Sequence, residues 1–424
     1  LKGYVERIQK GESNVLWKGV PKFFAKTSGT TSGAKYIPLT KASLACQIKA
    51  ARNALFHYVD YSGNHQFIDG KMIFLQGSPE LNTDSKVPSG RLSGIVANYV
   101  PSYLQSNRLP SYKTNCIEDW EEKVEAIIDE TLKEDMRLIS GIPSWVQMYF
   151  ERLQKRTGKN IAELFPNFSL FVFGGVNFAP YRRKFEKLIG KKVDSLELYP
   201  ASEGFIAFQD TLNEKGLLLL LDYGIFYEFI PVGKDQEYIV EIQDVKLFVE
   251  YELVITTNGG LWRYRIGDVV RFTSLSPYRI QITGRTKHFI NAFGEEVVIE
   301  NTDKAIEEAS LKTGVKIVDY TVAPIYMSKN NSRGSHQWLI EFKDTPTNLD
   351  TFGKMLDQKL RELNSDYDAK RYNNITMSSP KISVAQKGLF DKWLRNYNKI
   401  GGQHKIQRLS NDRRFIENLL KIEF

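Results

Sequence analysis

The chain has 424 residues, 42% hydrophobic and 12% aromatic, enough for a large core and for two or three domains. Its 58 lysines and arginines against 50 acidic residues leave a net charge of +8, a mild excess that favours an anionic ligand. No dense basic block, helix-turn-helix or zinc-finger pattern occurs, which speaks against a nucleic-acid binder; no apolar run reaches membrane-spanning length, which speaks against a membrane partner.

Cys46 and Cys116 give no disulfide framework and the five histidines form no metal-ligand pattern, so the expected setting is a reducing cytoplasm. The chain opens on Leu1, inside an amphipathic stretch that predicts a helix over 1–11, and further residues are expected upstream. Two apolar segments, Phe23-Phe24-Ala25 and Tyr36-Ile37-Pro38-Leu39, read as strands on either side of a Ser/Thr/Gly run. Thr40 is a candidate N-cap for a helix in which Leu44, Ile48, Ala51 and Leu55 recur at helical spacing. A buried strand over 71–75, a helix over 120–132 and a strand over 137–143 follow, with Ser144 capping a helix that runs to 153. A strand over 169–175 ends in glycines, a basic helix spans 180–188, and a strand covers 193–199.

From Gly204 onward the pattern turns to strands, over 205–208, 217–221, 226–230, 253–257 and 269–272. A break falls at Gly284-Arg285-Thr286-Lys287. Beyond it come a helix over 300–313, strands over 318–325 and 338–342, a helix over 349–363 and a basic tail. The expected architecture is α/β: a large N-terminal domain of mixed sheets flanked by helices, a strand-rich subdomain, and a smaller α+β C-terminal domain, with ligands at the carboxyl ends of the strands. The boundary divides the chain into 1–284 and 285–424.

The run Thr27-Ser28-Gly29-Thr30-Thr31-Ser32-Gly33, followed by Lys35, supplies backbone N–H groups, hydroxyls and an ammonium within one turn, as a polyphosphate requires. It is not a Walker A loop, because Ala34 separates Gly33 from Lys35 and strands flank it on both sides. A flexible polar linker is the alternative. In Tyr199-Pro200-Ala201-Ser202-Glu203-Gly204 a ring can stack on a purine, a hydroxyl can bond phosphate or a carboxylate, and Glu203 can hold Mg²⁺; taken alone, a strand-ending turn with a surface acid is the commoner meaning of such a string. In Tyr264-Arg265-Ile266-Gly267-Asp268 the aspartate can accept ribose hydroxyls, or Gly267-Asp268 is a β-turn between two strands. Gly284-Arg285 suits a hinge that grips a nucleotide, or an exposed basic turn. Lys387-Gly388 and Gly401-Gly402-Gln403-His404-Lys405 offer a mobile ammonium or a solvated tail.

The order of these parts resembles the acyl-adenylating superfamily, and in detail the auxin-responsive Gretchen Hagen family of acyl acid–amido synthetases. Gly90-Arg91-Leu92-Ser93-Gly94, Gly141-Ile142-Pro143-Ser144-Trp145 and Phe173-Gly174-Gly175 extend the resemblance over nearly the whole chain. It implies an ATP- and Mg²⁺-dependent ligase that turns a carboxylic acid into an acyl-adenylate and passes the acyl group to an amino acid. Thr27 to Gly33 and Lys35 would then hold phosphates, Glu203 the metal, and Gly174, Gly175, Tyr199 and Ala201 the adenine. Ser202 would face the α-phosphate or the carboxylate, and Asp268 and Arg285 the ribose. The 285–424 domain would act as a mobile lid, contributing Lys405 or, as a rival, Lys387. Arg91, Trp145, Phe173 and Val176 would meet the acid; Met148 and Tyr149 read better as core. Three other readings differ in class: an acyl-CoA synthetase with a thiol acceptor, a non-catalytic nucleotide binder, and a basic interaction protein.

Overall fold

The computed structural model describes residues 1–27, 35–99, 105–117, 119–176, 178–179, 181–212, 214–285, 289–327, 333–344, 346–372, 376–396 and 406–423, without the side chains of 120, 121, 285, 394–396 and 423. The described residues up to 285 form one compact unit and those from 289 a second.

The first unit begins with α1 (Lys2–Gln9), β1 (Phe23–Thr27) and β2 (Lys35–Leu39). The two strands pair antiparallel with Thr27 opposite Lys35, so the Ser/Thr/Gly run lies between the paired ends of a hairpin. Helix α2 (Lys41–Ser62) starts on a capping box. Thr40 Oγ1 accepts from Ser43 N at 3.1 Å, Ser43 Oγ accepts from Thr40 N at 3.0 Å, and Gly63 closes the helix at a φ of +70°. Its most buried line is Gln47, Ala50, Ala54 and Tyr58, one position away from the line the apolar residues alone predict; Ile48, Ala51 and Leu55 are half-buried along its edge. Small side chains sit at the closest approach to the sheet, and the larger ones flank it.

The middle of the unit alternates strands and helices: β3 (Lys71–Leu75), β4 (Ser89–Gly90), α3 (Leu92–Ala97), β5 (Arg108–Leu109), α4 (Tyr112–Asn115), α5 (Trp120–Thr131), β6 (Met136–Gly141) and α6 (Pro143–Thr157). Then follow α7 (Ile161–Leu164), β7 (Leu170–Gly174), α8 (Arg182–Ile189) and β8 (Asp194–Ala201). One expectation needs correction here. Pro143 takes the first position of α6, where its missing N–H costs nothing, so the cap position falls on Ile142 and Ser144 lies inside the first turn. Strands only follow: β9 (Gly204–Phe208), β10 (Leu217–Leu219), β11 (Ile225–Pro231), β12 (Glu250–Thr257), β13 (Tyr264–Leu275) and β14 (Tyr278–Arg285).

Among the described residues one 11-stranded sheet carries this unit, in the order β11-β12-β13-β14-β10-β9-β8-β7-β6-β3-β5. The β5-β3-β6-β7-β8 half is parallel. The pairing becomes antiparallel at β8–β9 and stays so through β11. Two apolar clusters pack on it: Ala50, Ala54, Leu138, Leu170, Val172 and Leu196 join α2 to the parallel half, and Phe229, Leu253, Ile255, Val270 and Phe272 fill the antiparallel half. Gly174 allows β7 and β8 their close approach, since a Cβ there would sit 2.5 Å from the Leu198 carbonyl oxygen.

The second unit has β15 (Phe289–Ile290), β16 (Val297–Val298), α9 (Ile299–Thr313), β17 (Ile317–Ile325), β18 (Ser335–Phe342), α10 (Leu349–Leu363), α11 (Ser365–Arg371) and β19 (Lys381–Val384). Strand β18 pairs antiparallel with β17 and parallel with β19. The expected basic tail is not a tail. It holds α12 (Leu389–Asn396) and α13 (Arg414–Glu423), whose Leu389, Phe390, Ile416 and Leu419 are buried with Ala323 and Leu339. The helical repeat of those apolar residues is masked in sequence by the charges between them. Glu295 and His336 form the buried polar centre of this unit. Glu295 accepts from Ala292 N at 3.1 Å and Phe293 N at 2.6 Å, and its Oε1 lies 2.8 Å from His336 Nε2.

Candidate active site

Three remote segments meet where the sheet changes from parallel to antiparallel. Strand β8 ends at Ala201, Ser202 and Glu203 form a two-residue turn, and β9 leaves at Gly204. Helix α2 steadies this turn from behind: Gln47 Nε2 donates to the Ala201 carbonyl at 2.8 Å. Glu203 exposes 10% of its side chain and lies 3.8 Å from Lys35 Nζ on β2. That ammonium also stands 4.6 Å above the Tyr264 ring at the start of β13. A cation on an aromatic face beside a carboxylate is held by two independent attractions. Further along β13, Asp268 is 6% exposed and accepts a hydrogen bond from the hydroxyl of Tyr199, itself 7% exposed.

The Gly267-Asp268 pair is no β-turn. Strand β13 runs unbroken from Tyr264 to Leu275, with Gly267 at a φ of +90° and a register shift against β12 between Glu252 and Val254. This bulge re-aims the strand so that Asp268 meets Tyr199, and glycine supplies the left-handed backbone the bulge requires. Arg265, in the same motif, serves the scaffold: its guanidinium holds Glu252 through two nitrogens, and that hydrogen bond pushes its pKa up.

Lys35, Glu203, Tyr199 and Asp268 are therefore brought together, with Ala201 and Ser202 in the turn between. The backbone of Arg285 pairs with that of Asp268 across β13–β14. At the end of β7, Gly174 is crowded, whereas Gly175, at a φ of +80°, has open space where a side chain would project. Thr27 closes β1. Ser28, Gly29, Thr30, Thr31, Ser32, Gly33 and Lys405 lie outside the described residues. Lys387 belongs to the second unit, exposed in the turn before α12, where Gly388 N donates to Glu341 at 2.7 Å.

Of the residues expected at an acid pocket, Phe173 and Val176 are buried around the end of β7, and Trp145 is buried on α6. The Phe173 ring lies 5.3 Å from Phe171 and 4.9 Å from Phe178, inside an aromatic cluster. Tyr149 is core, as its sequence position suggests; its hydroxyl is 2.6 Å from Thr131 Oγ1. Beside Phe173 on β8 stands Glu197, whose pKa burial pushes up while Arg182 pulls it back. Arg91 precedes α3, and its chain passes over Gly77 beyond the end of β3. Gln47 escapes a motif reading, its only clue an amide between the buried positions Leu44 and Ala50 of its helix; Tyr264 stands in the Tyr-Arg-Ile-Gly-Asp motif, but its place under the Lys35 ammonium is not legible there.

The sequence matches the GH3 family N-terminal domain over residues 1–107 and 92–193, the central domain over 218–285 and the C-terminal domain over 300–414.

The chain belongs to the GH3 family.

Indole-3-acetic acid-amido synthetase GH3.4 of Arabidopsis thaliana is 27% identical over 216 residues, covering 46% of this GH3 chain and 35% of that protein. Jasmonoyl-L-amino acid synthetase JAR4 of Nicotiana attenuata is 34% identical over 342 residues, covering 64% of this chain and 58% of its own. The matched stretches thus span about a third to just over half of these curated relatives. In fold, the GH3.15 acyl acid amido synthetase in complex with 2,4-DB superposes with a TM-score of 0.58 at 19% identity, covering 100% of this chain and 85% of that one. A 2-hydroxyisobutyryl-CoA ligase in complex with 2-HIB-AMP and CoA gives 0.57 at 15% identity, covering 94% and 75%.

Proposed function

We propose that this chain is an ATP-dependent acyl acid–amido synthetase: it activates a carboxylic acid as the acyl-adenylate and transfers the acyl group to the amine of an amino acid. The observation that carries this reading is the convergence of Lys35, Glu203, Tyr199 and Asp268 from three distant segments onto the seam of one sheet. An ammonium, a largely sheltered carboxylate and a carboxylate fixed by a phenol are the groups a magnesium nucleotide engages.

In this reading Lys35 and the Ser/Thr/Gly run, Thr27 to Gly33, bind the β- and γ-phosphates. Asp268 accepts the ribose hydroxyls, with Tyr199 orienting its carboxylate and Arg285 alongside. The open space over Gly175, beside Tyr199, receives the adenine. Ser202 faces the α-phosphate or the acid. Trp145, Phe173 and Val176 wall the acid pocket, with Lys405 or Lys387 as the cation of the second unit. Binding in this way fixes the two anions against each other, which is the main task in an attack of carboxylate on phosphorus.

A magnesium ion fits this donor set as a partner of the nucleotide. Mg²⁺ keeps several waters and takes one or two carboxylates plus substrate phosphates. Glu203 is such a carboxylate, and no cluster of three acidic, cysteine or histidine side chains exists among the described residues to cage a metal without substrate. When bound, the ion would neutralise phosphate charge. No helix among the described residues is long and apolar enough to cross a membrane, and Cys46 and Cys116 are free thiols; both fit the cytoplasmic setting proposed here.

The test is acid-dependent ATP–pyrophosphate exchange over a library of carboxylic acids, followed by mass analysis of products formed with mixed amino acids or with coenzyme A. Exchange with amide products supports the reading. A thioester without amide transfers it to the coenzyme A ligases, and absence of exchange with every acid refutes adenylation.

A further inference from the structure

One amide interrupts the apolar line that α2 turns to the sheet. Gln47 shares that line with Ala50, Ala54 and Tyr58 and is 3% exposed. A methionine of similar length would pack there without taking an amide out of water, so the amide is explained by what it bonds. Its Nε2 donates to the carbonyl of Ala201 at 2.8 Å, where β8 gives way to the Ser202-Glu203 turn. The bond is to backbone, so Gln47 acts through the turn.

The same helix is joined directly to Lys35. Strand β2 carries Lys35 and ends at Leu39, Thr40 is the cap, and α2 begins at Lys41. The Thr40 hydroxyl also donates to the Asn258 carbonyl at 2.9 Å, and Asn258 Nδ2 lies 3.5 Å from Cys46 Sγ. A Cβ on Gly259 would lie 3.1 Å from the Pro38 carbonyl oxygen and 3.6 Å from Ser43 Cβ, so the connection between β12 and β13 rests on the start of the helix. The first turns of α2 thus bracket three pieces of chain: the strand with Lys35, the turn with Glu203, and the connection that leads into Tyr264. Those are the three side chains whose mutual distances, 3.8 Å from Lys35 Nζ to Glu203 and 4.6 Å from Lys35 Nζ to the Tyr264 ring, define the charged end of the site. A carboxylate that shares a metal with substrate phosphates must be held to within a fraction of an ångström, and groups behind the ligand do that holding.

We propose that Gln47 is a positioning residue for the metal: it fixes the Ser202-Glu203 turn so that the Glu203 carboxylate and the Lys35 ammonium close on the same phosphates. This role rests on the adenylate-forming reading above, in which Glu203 holds Mg²⁺ and Lys35 the phosphates.

The experiment measures ATP binding to the full chain by calorimetry, in EDTA and in excess Mg²⁺, with urea unfolding of each preparation. In Gln47→Met, binding without metal should stay near wild type, while the tightening that Mg²⁺ brings should shrink about tenfold. Gln47→Ala serves the same purpose if the methionine variant fails to fold. Glu203→Gln should show the same loss, and adding Gln47→Met to it should remove little more, because both act on one carboxylate. Asn53→Leu is the control: it deletes another hydrogen bond of the same helix, from Asn53 Nδ2 to the Tyr223 hydroxyl at 2.7 Å, and should keep the wild-type response to Mg²⁺. Tightening within about twofold of wild type in the Gln47 variant, an equal loss in Asn53→Leu, or full additivity with Glu203→Gln overturns the proposal. If wild type binds no ATP, the adenylate-forming reading fails first. If Glu203→Gln alone responds to Mg²⁺ as wild type does, Glu203 leaves the metal and the role of Gln47 goes with it.

Discussion

Replacing Tyr199 by Phe removes one oxygen and leaves the ring in its apolar cluster, so the change isolates the hydrogen bond to Asp268. Both residues are nearly buried, 7% and 6% exposed, and the acceptor is a carboxylate. Hydrogen bonds to charged groups contribute about 1.5–3 kcal/mol, against about 1 kcal/mol for neutral pairs. If Asp268 takes the ribose hydroxyls, its orientation reaches the transition state through ATP alone. At 1.36 kcal/mol per decade the loss corresponds to roughly ten- to hundredfold in kcat/KM for ATP. The assay is pyrophosphate exchange at saturating acid over a range of ATP, with urea unfolding of the same preparations. Asp268→Asn and the double variant complete a cycle, in which the two changes should be clearly non-additive. Exchange kinetics within about twofold of wild type in Tyr199→Phe, or full additivity in the cycle, would refute the argument that Tyr199 sets the aspartate.

Glu203→Gln keeps the shape of the turn and removes its charge, so exchange should need several-fold more Mg²⁺ for half-maximal rate; an unchanged Mg²⁺ titration removes Glu203 from the metal. For Glu295, burial pushes the carboxyl pKa up, but His336 and the backbone donors outweigh it and the net shift is downward. Its contribution is thus complete above the ordinary glutamate pKa near ~4.3 and fades as pH falls below it. Glu295→Gln, which weakens hydrogen bonds to a buried carboxylate, should cost about 1.5–3 kcal/mol at neutral pH, a gap that narrows in acid unfolding series. Lys123 is buried on α5, donates to the Asn115 carbonyl at 2.5 Å, and has its pKa pushed down by burial to about 8. The folded form then releases this proton before the unfolded chain does, near ~10.4, so between those values stability rises with pH. Urea midpoints of wild type minus Lys123→Met should climb over that interval; a flat difference contradicts the assignment.

The strands of the parallel half and the helices around them are readable because their periods differ and glycines or prolines punctuate them. Leu170–Gly174 and Leu349–Leu363 fall almost where pattern alone puts them. What pattern misses is fixed by pairing partners. Gly267-Asp268 has the local chemistry of a turn, and only the neighbouring β12 makes it a bulge. Ser144 has the local chemistry of a cap, but Pro143 moves the helix start. At the candidate site the charged and aromatic residues announce themselves in short motifs. Gln47 does not, and Tyr264, though it opens a motif, does not announce its role, since the amide and the ring act through groups some 150 or more positions away, Ala201 and Lys35.

The Ser202-Glu203 turn leaves no slack. One added residue between Ala201 and Gly204 would slide β9 by a single step and turn its inward side chains about. Ile206 and Phe205 belong to opposite apolar clusters, so such an insertion would injure both at once. Homologous chains that gain length should therefore accommodate it in the connections outboard of β9, and engineered tags or peptide grafts belong there too.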